Sequence, residues 1–380
     1  MASAPLRIMM VGDLVLDEPQ ADQFFDEARP LLKTADVLIG HVEVPHTARG
    51  KESVGDVPAP ASDPANLAAL KNAGFHLASL AGNHVHDRGA EGIADTIATL
   101  NQHGIAATGA GANLAEARKP AIIEKNGRRI ALLSYNCVGP KQGWAGPSQA
   151  GCAYIRVVSH YEMEAANPGG PPEAFTFPTP DSLEAMQADI ESARKSADIV
   201  IVSLHKGLVH QPAKLAMYER PVARAAIDAG ADTVFGHHAH ILKGVEIWRG
   251  KPIFHGLGNF VTVTRALNIE GNDSPARRAW AIKRREVFGF EPLHDYPLYP
   301  FHPEARNVMI AVCDIDGAGA VSPGFIPCWM QPSAAPQPLK RGAKGEEVAG
   351  YVETISQKAG LKTRFRWDGD RVVFTEAPRT

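Results

Sequence analysis

A chain of 380 residues, 44% hydrophobic and 21% charged, has enough apolar sequence for one large α/β domain or a domain with an appended piece. A net charge of −3 argues against a nucleic-acid or anionic-membrane partner. No apolar run approaches the roughly 20 residues of a spanning helix, and Met1 to Arg7 lacks the basic and apolar regions of a signal peptide, so a cytoplasmic protein is expected.

Strand-like and helix-like segments then alternate, which favours layered α/β architecture. Ile8-Met9-Met10-Val11 ends at Gly12-Asp13, and a helical pattern covers residues 22–32. Val37-Leu38-Ile39-Gly40 ends at His41-Val42-Glu43, followed by a helix over 64–73. Leu77 to Ala81 ends at Gly82-Asn83-His84, before a helix over 92–103. Asn126-Gly127 sits between two apolar runs and marks a hairpin. Residues 137–180 form a Gly- and Pro-rich excursion, and a helix is expected over 183–196. Ile199 to Leu204 ends at His205, and a helix covers 213–229. Thr233-Val234-Phe235 ends at Gly236-His237-His238-Ala239-His240, ahead of a second hairpin at Arg249-Gly250, so the sheets are mixed. Residues 265–303 break the pattern again, and 331–345 reads as a linker. A helix over 349–359 and a hairpin around Asp368-Gly369-Asp370 complete the chain, giving a main domain over 1–330 and an extension over 331–380. Cys137, Cys152, Cys313 and Cys328 form no CxxC pair, which argues against a zinc knuckle and fits buried thiols in a reducing compartment.

Five apolar runs stop at Asp, Glu, Asn or His, and in layered α/β folds ligands collect beyond the carboxyl ends of the strands. One shared metal site is therefore expected. Imidazoles two apart past a strand suit zinc, iron or manganese. Carboxylates such as Asp13 and Glu43 suit hard divalent ions and can bridge two of them. Asn83 can offer its carbonyl oxygen, and His84 can act as acid, base or oxyanion partner. Two carboxylates, an asparagine and several histidines make the inventory of a dinuclear centre.

On these residues the chain resembles the CapA family, named for capsular poly-γ-glutamate synthesis, within the calcineurin-like metallophosphoesterase superfamily. The matching stretches are Gly12-Asp13, Glu43, the block from Asn83-His84 through Asp87 and Gly89 to Gly92, Gly104 to Gly111, and His205-Lys206-Gly207. Ala229 to His240 and Gly256 to Phe260 complete the series, which spans about residues 6–313. The resemblance implies a four-layer α/β/β/α sandwich holding two divalent ions of manganese, zinc, iron or cobalt. It implies Asp13 and His240 on the first metal, Glu43 in place of the usual bridging Asp, and Asn83, His205 and His238 on the second. His84, oriented by Asp87, is the implied catalytic histidine.

Three departures stand out. The superfamily's first motif is Asp-x-His, but here position 15 is Val15. His41 replaces the usual Asn two before the glutamate, and residues 41 and 43 share one side of an extended segment, so His41 is expected to supply the missing imidazole. Lys206 stands where the family usually has Trp, with His210 following, and both are expected in the substrate pocket. The 265–303 segment is expected to form a lid, with Trp280, Phe288, Phe290, Tyr296 and Tyr299 shaping a pocket. Arg277, Arg278 or Lys283 would meet an anionic small-molecule or peptide-like substrate. The expected reaction is hydrolysis of an amide, γ-glutamyl or peptide-like, or of a phosphoester, by metal-activated water. Two alternatives are a lasso-peptide type epimerase, in which a histidine or lysine exchanges an α-proton with Lys206 and His210 as candidates, and a non-catalytic factor in polymer assembly or transport.

Overall fold

The runs that end in polar residues fold as the central strands of two sheets. This computed structural model describes residues 4–53, 61–162, 173–265, 268 and 274–377. Leu6–Leu16 lies inside the larger sheet, with Val37–Val42, Leu77–Ser79 and Ala106–Thr108 following in parallel. On its other side Asn307–Ile315 and Val321–Met330 pair antiparallel, while Asn259–Val263 runs parallel to its C-terminal end. The second sheet has the order Val245–Trp248, Lys251–Phe254, Thr233–His238, Ile199–Lys206, Arg128–Asn136, Ala121–Lys125. Its four inner strands are parallel and both edges are hairpins, turning at Asn126-Gly127 and Arg249-Gly250 with positive φ at all four residues.

Alternate side chains of the strands enter different layers. Ile8, Met10, Val37, Ile39 and Leu77 meet Ile130, Leu132, Ile199, Ile201 and Phe235 in a core between the sheets. The opposite face of the larger sheet, with Met9, Val11 and Leu38, packs on Leu70, Ile93 and Leu100 from the helices Ala68–Ala73 and Gly89–Gln102. The outer face of the second sheet, with Leu133, Val200, Val202 and Val234, packs on Met186, Ile190, Val222 and Ala226 from Pro180–Arg194 and Glu219–Asp228. The result is the four-layer helix, sheet, sheet, helix sandwich. Strands buried on both faces explain why the sequence shows unbroken apolar runs rather than alternation.

The tail joins the same framework. Arg371–Glu376 pairs with Val321–Met330, and Pro336–Pro338, inside the stretch read as a linker, pairs with that strand as well. Val352 and Ile355 of the helix Ala343–Lys358 enter the core between the sheets. Of the expected lid, residues 266, 267 and 269–273 lie outside the described residues, as do 163–172 of the earlier excursion. The rest of the lid segment forms the helix Pro275–Phe288 and then buries Tyr296, Tyr299 and Phe301 in the outer core of the larger sheet. The four cysteines are free and buried. Among the described residues no helix is long and apolar enough to cross a membrane.

Candidate metal centre

Strand register decides which polar side chains meet. Asp13 stands beside His41 on one neighbouring strand and beside Asn259 on the other, and His41 stands beside Ser79. In the facing sheet His205 stands beside His237. The pairing of the first two strands is irregular between Met10 and Asp13, a feature that re-aims the side chain which follows. Only glycine fits just before Asp13: a Cβ at Gly12 would lie 1.8 Å from the carbonyl oxygen of Gly258. That close approach lets Asp13 N donate to Gly258 O at 2.9 Å.

Two groups of side chains offer ligand atoms within 4.8 Å of one another, and Asp13 belongs to both. The first joins Asp13, His41, His205 and His237, and the second joins Asp13, Glu43 and His240. The His41 and His237 rings stack with centroids 3.7 Å apart, and His205 Nδ1 lies 2.7 Å from His237 Nδ1. Asn83 Oδ1 is 2.7 Å from His205 Nε2, which adds an amide oxygen to the first group. In the second group His240 Nδ1 is 3.5 Å from Asp13 Oδ2 and its Nε2 is 3.4 Å from Glu43 Oε1.

Hydrogen bonds behind the rings choose which nitrogen faces inward. Asn259 Nδ2 donates to the Tyr299 hydroxyl at 3.0 Å, so its Oδ1 accepts from His240 Nδ1 at 2.8 Å. That leaves the His240 Nε2 lone pair toward Glu43. Ser79 Oγ holds His41 Nδ1 at 3.1 Å, and Ser203 Oγ holds His237 Nε2 at 2.6 Å. Truncating Asn259 to Ala should free the His240 ring and weaken metal affinity about 10–100-fold. Metal titration checks this, and unchanged affinity would show that Asn259 plays no orienting part.

The electrostatics favour a cation. Burial, and then the charge of Glu43, raise the Asp13 carboxyl well above the usual carboxylate range. Burial lowers His41 to about 3, lowers His240, and pushes His205, His237 and His238 well below the ordinary imidazole value. Neutral imidazole is the protonation state a metal requires. Among the described residues, Asp13 Oδ1 and His41 Nε2 are buried without a hydrogen-bond partner. Such orphans are costly unless something completes them. This donor set of buried carboxylate, imidazole and amide oxygen fits divalent metal.

Of the residues singled out from sequence, the structure brings Asp13, His41, Glu43, Asn83, His205 and His240 together. His238 lies close by, its ring 4.6 Å from that of His205 and its N–H donating to Asp13 Oδ2 at 3.1 Å, but it is in neither ligand group. His237 is a member of the first group, and the Nδ1 of His238 is buried without a hydrogen-bond partner among the described residues. His238 has φ of 88° and His240 of 52°, left-handed backbone that side chains with a Cβ rarely adopt and that tends to cluster at functional sites. His84 Nδ1 is 2.7 Å from Asp87 Oδ2, with both side chains buried. Val15 pairs with Thr262 along the strand and offers no ligand.

Lys206 does not reach the site, contrary to its expected place in the substrate pocket. Its neighbour His205 points between the sheets, so Lys206 points outward, where its Nζ meets Glu219 at 2.8 Å and donates to the His255 carbonyl at 3.0 Å. His210 does lie beside the centre, its ring 5.9 Å from that of His240. Arg277 is engaged by Glu52 at 3.3 Å, and Arg278 is exposed. Sequence reading passed over His237, Asn259, Ser79 and Ser203. Asn259, Ser79 and His237 are the register partners of Asp13, His41 and His205, pairings that only the folded sheets reveal.

Residues 7–264 match the family described as bacterial capsule synthesis protein PGA_cap. The chain is 30% identical over 266 residues to the PGA biosynthesis protein CapA of Bacillus subtilis, covering 67% of this chain and 63% of that one. It is 27% identical over 268 residues to the capsule biosynthesis protein CapA of Bacillus anthracis, covering 67% and 59%. The match thus spans less than two thirds of either relative. Among solved structures, a calcineurin-like phosphoesterase of Bacillus subtilis aligns over 94% of this chain and 98% of that chain at 11% identity, with a TM-score of 0.40. The matched segment contains every residue of both ligand groups, and the chain belongs to the bacterial capsule synthesis protein PGA_cap family, the family of CapA.

Proposed function

We propose that this protein is a metal-dependent hydrolase acting on an amide, γ-glutamyl or peptide-like, or on a phosphoester. The observation that carries this reading is the sharing of Asp13 by two adjoining ligand groups, with the His84–Asp87 pair beside them. Two divalent ions held there would supply an activated water and polarise the oxygen of the scissile bond. Asp13, His41, His205, His237 and Asn83 would hold one ion, and Asp13, Glu43 and His240 the other. His84 directly follows Asn83, whose Oδ1 lies 2.7 Å from His205 Nε2, so the pair stands next to the first ligand group. Asp87 holds the ring at Nδ1, and His84 would hold or deliver a proton to the leaving group. The names of the Bacillus relatives tie them to PGA and capsule biosynthesis, which favours the γ-glutamyl amide of the two bond types.

The epimerase alternative needs two acid–base groups on opposite sides of a carbon. Burial of Lys206 against Glu219 leaves His210 without that partner, which supports hydrolysis. Purified protein should bind manganese, zinc, iron or cobalt and release product from γ-glutamyl amides or phosphoesters. Full metal occupancy with no turnover on either panel would overturn the proposal. His84→Ala should lower turnover by about 10²–10⁴-fold at unchanged metal content; a loss of metal instead would make His84 a ligand rather than an acid.

A further inference from the structure

The helix Pro275–Phe288 carries a charge where its spacing calls for an apolar side chain. Arg277, Ala281, Arg284 and Phe288 share one face at helical spacing, and Arg284 on that face is only 3% exposed. Two other arginines of the helix are paired, Arg277 with Glu52 at 3.3 Å and Arg285 with Glu291 at 2.9 Å. Arg284 has no such partner among the described residues. Its Nη2 donates to the Pro300 carbonyl, its guanidinium lies 5.5 Å from the centre of the Phe290 ring, and its Nη1 is buried without a hydrogen-bond partner.

The surroundings connect this cation to the metal centre. Phe290 packs edge-on against His210 at 4.9 Å and His302 at 5.0 Å. His210 lies 5.9 Å from His240, and Phe301 lies 5.1 Å from His240. His210 is itself buried, with its Nδ1 unpartnered among the described residues. An unpaired cation removed from water is unfavourable unless an anion completes it. A guanidinium fork matches the paired oxygens of a carboxylate or phosphate.

We propose that Arg284 is the anion-binding residue of a substrate subsite walled by Phe288, Phe290, Phe301, His210 and His302. It takes the oxyanion, carboxylate or phosphate, of a molecule whose reacting bond lies at the metal centre beside His240. Only the second clause rests on the hydrolase reading; the anion site does not need turnover. In sequence Arg284 lies in the basic run Lys283-Arg284-Arg285, next to the residues expected to meet an anion.

Calorimetric titration of the full-length, metal-loaded protein with inorganic phosphate, and separately with N-acetylglutamate, tests the site. Arg284→Met should weaken at least one of the two about tenfold or more. Arg284→Lys, which keeps the charge and a donor for Pro300 but not the fork, should fall between Met and wild type. A loss confined to phosphate assigns a phosphoryl group to the subsite, and one confined to N-acetylglutamate assigns a carboxylate. Wild-type protein that binds neither anion, or Met and Lys variants that bind both as wild type does, overturns the proposal. Should Arg284→Met fail to fold, wild-type affinity in Arg284→Lys overturns it alone. In an Asp13→Ala background the dependence on Arg284 should persist, so a failure of the metal reading is told apart from a failure of this one.

Discussion

Replacing Asp13 with Ala should empty both halves of the metal centre at once. Its carboxylate is the member common to the two ligand groups and is fully buried. Loss of an outer partner costs about 10–100-fold in metal affinity, so loss of the shared ligand should exceed about 100-fold and abolish turnover. His41→Ala and His240→Ala remove one member from one group each, and should each lower metal content by about half. Elemental analysis after desalting reads all three variants. Asp13 Oδ2 also accepts from His238 N at 3.1 Å, so Asp13→Asn, which keeps an acceptor without the charge, separates metal loss from misfolding. An Asp13→Asn protein with its full metal complement would remove Asp13 from the shared position, and undiminished metal at both sites in His41→Ala would remove His41 from the first.

Lys206→Met should damage stability rather than substrate preference. The Lys206–Glu219 pair is completely buried at 2.8 Å, behind the strand that carries His205. Removing one partner of a buried ion pair leaves the other charge uncompensated and costs about 3–5 kcal/mol. Glu219 Oε1 also accepts from Ala216 N at 2.6 Å, so it cannot turn away to find water. The double variant Lys206→Met with Glu219→Gln removes both charges and should recover most of the loss. Urea unfolding measures the stability, and the substrate panel measures preference. A stable Lys206→Met protein with altered preference would restore Lys206 to the pocket.

Much of the centre was legible because metal chemistry uses few residue types and α/β folds gather them at strand ends. Asp13, Glu43, Asn83, His205 and the histidine run announced themselves by following apolar runs. His41 did so by occupying the same side of its segment as Glu43. Lys206 was misread because the strand was taken to end at His205, whereas it continues through Lys206 and sends that side chain to the opposite face. The place of His237 beside His205, with His238 next to it, was likewise not legible. The strand extends to His238, which sets His237 opposite His205, and spacing cannot locate that end.

By itself the sequence determined the alternation of strands and helices, the three hairpins, the five polar strand endings and the family. Those properties are local, written in period, turn residues and short motifs. Only the tertiary structure decided that Asp13 serves both ligand groups, that Asn259, Ser79 and Ser203 aim the imidazoles, and that the tail extends the larger sheet. It also decided that Arg284 is buried without an acid among the described residues while Lys206 is buried with one. Each depends on register between distant strands or on packing of one layer against another, and a one-residue shift in register reverses which face a side chain takes.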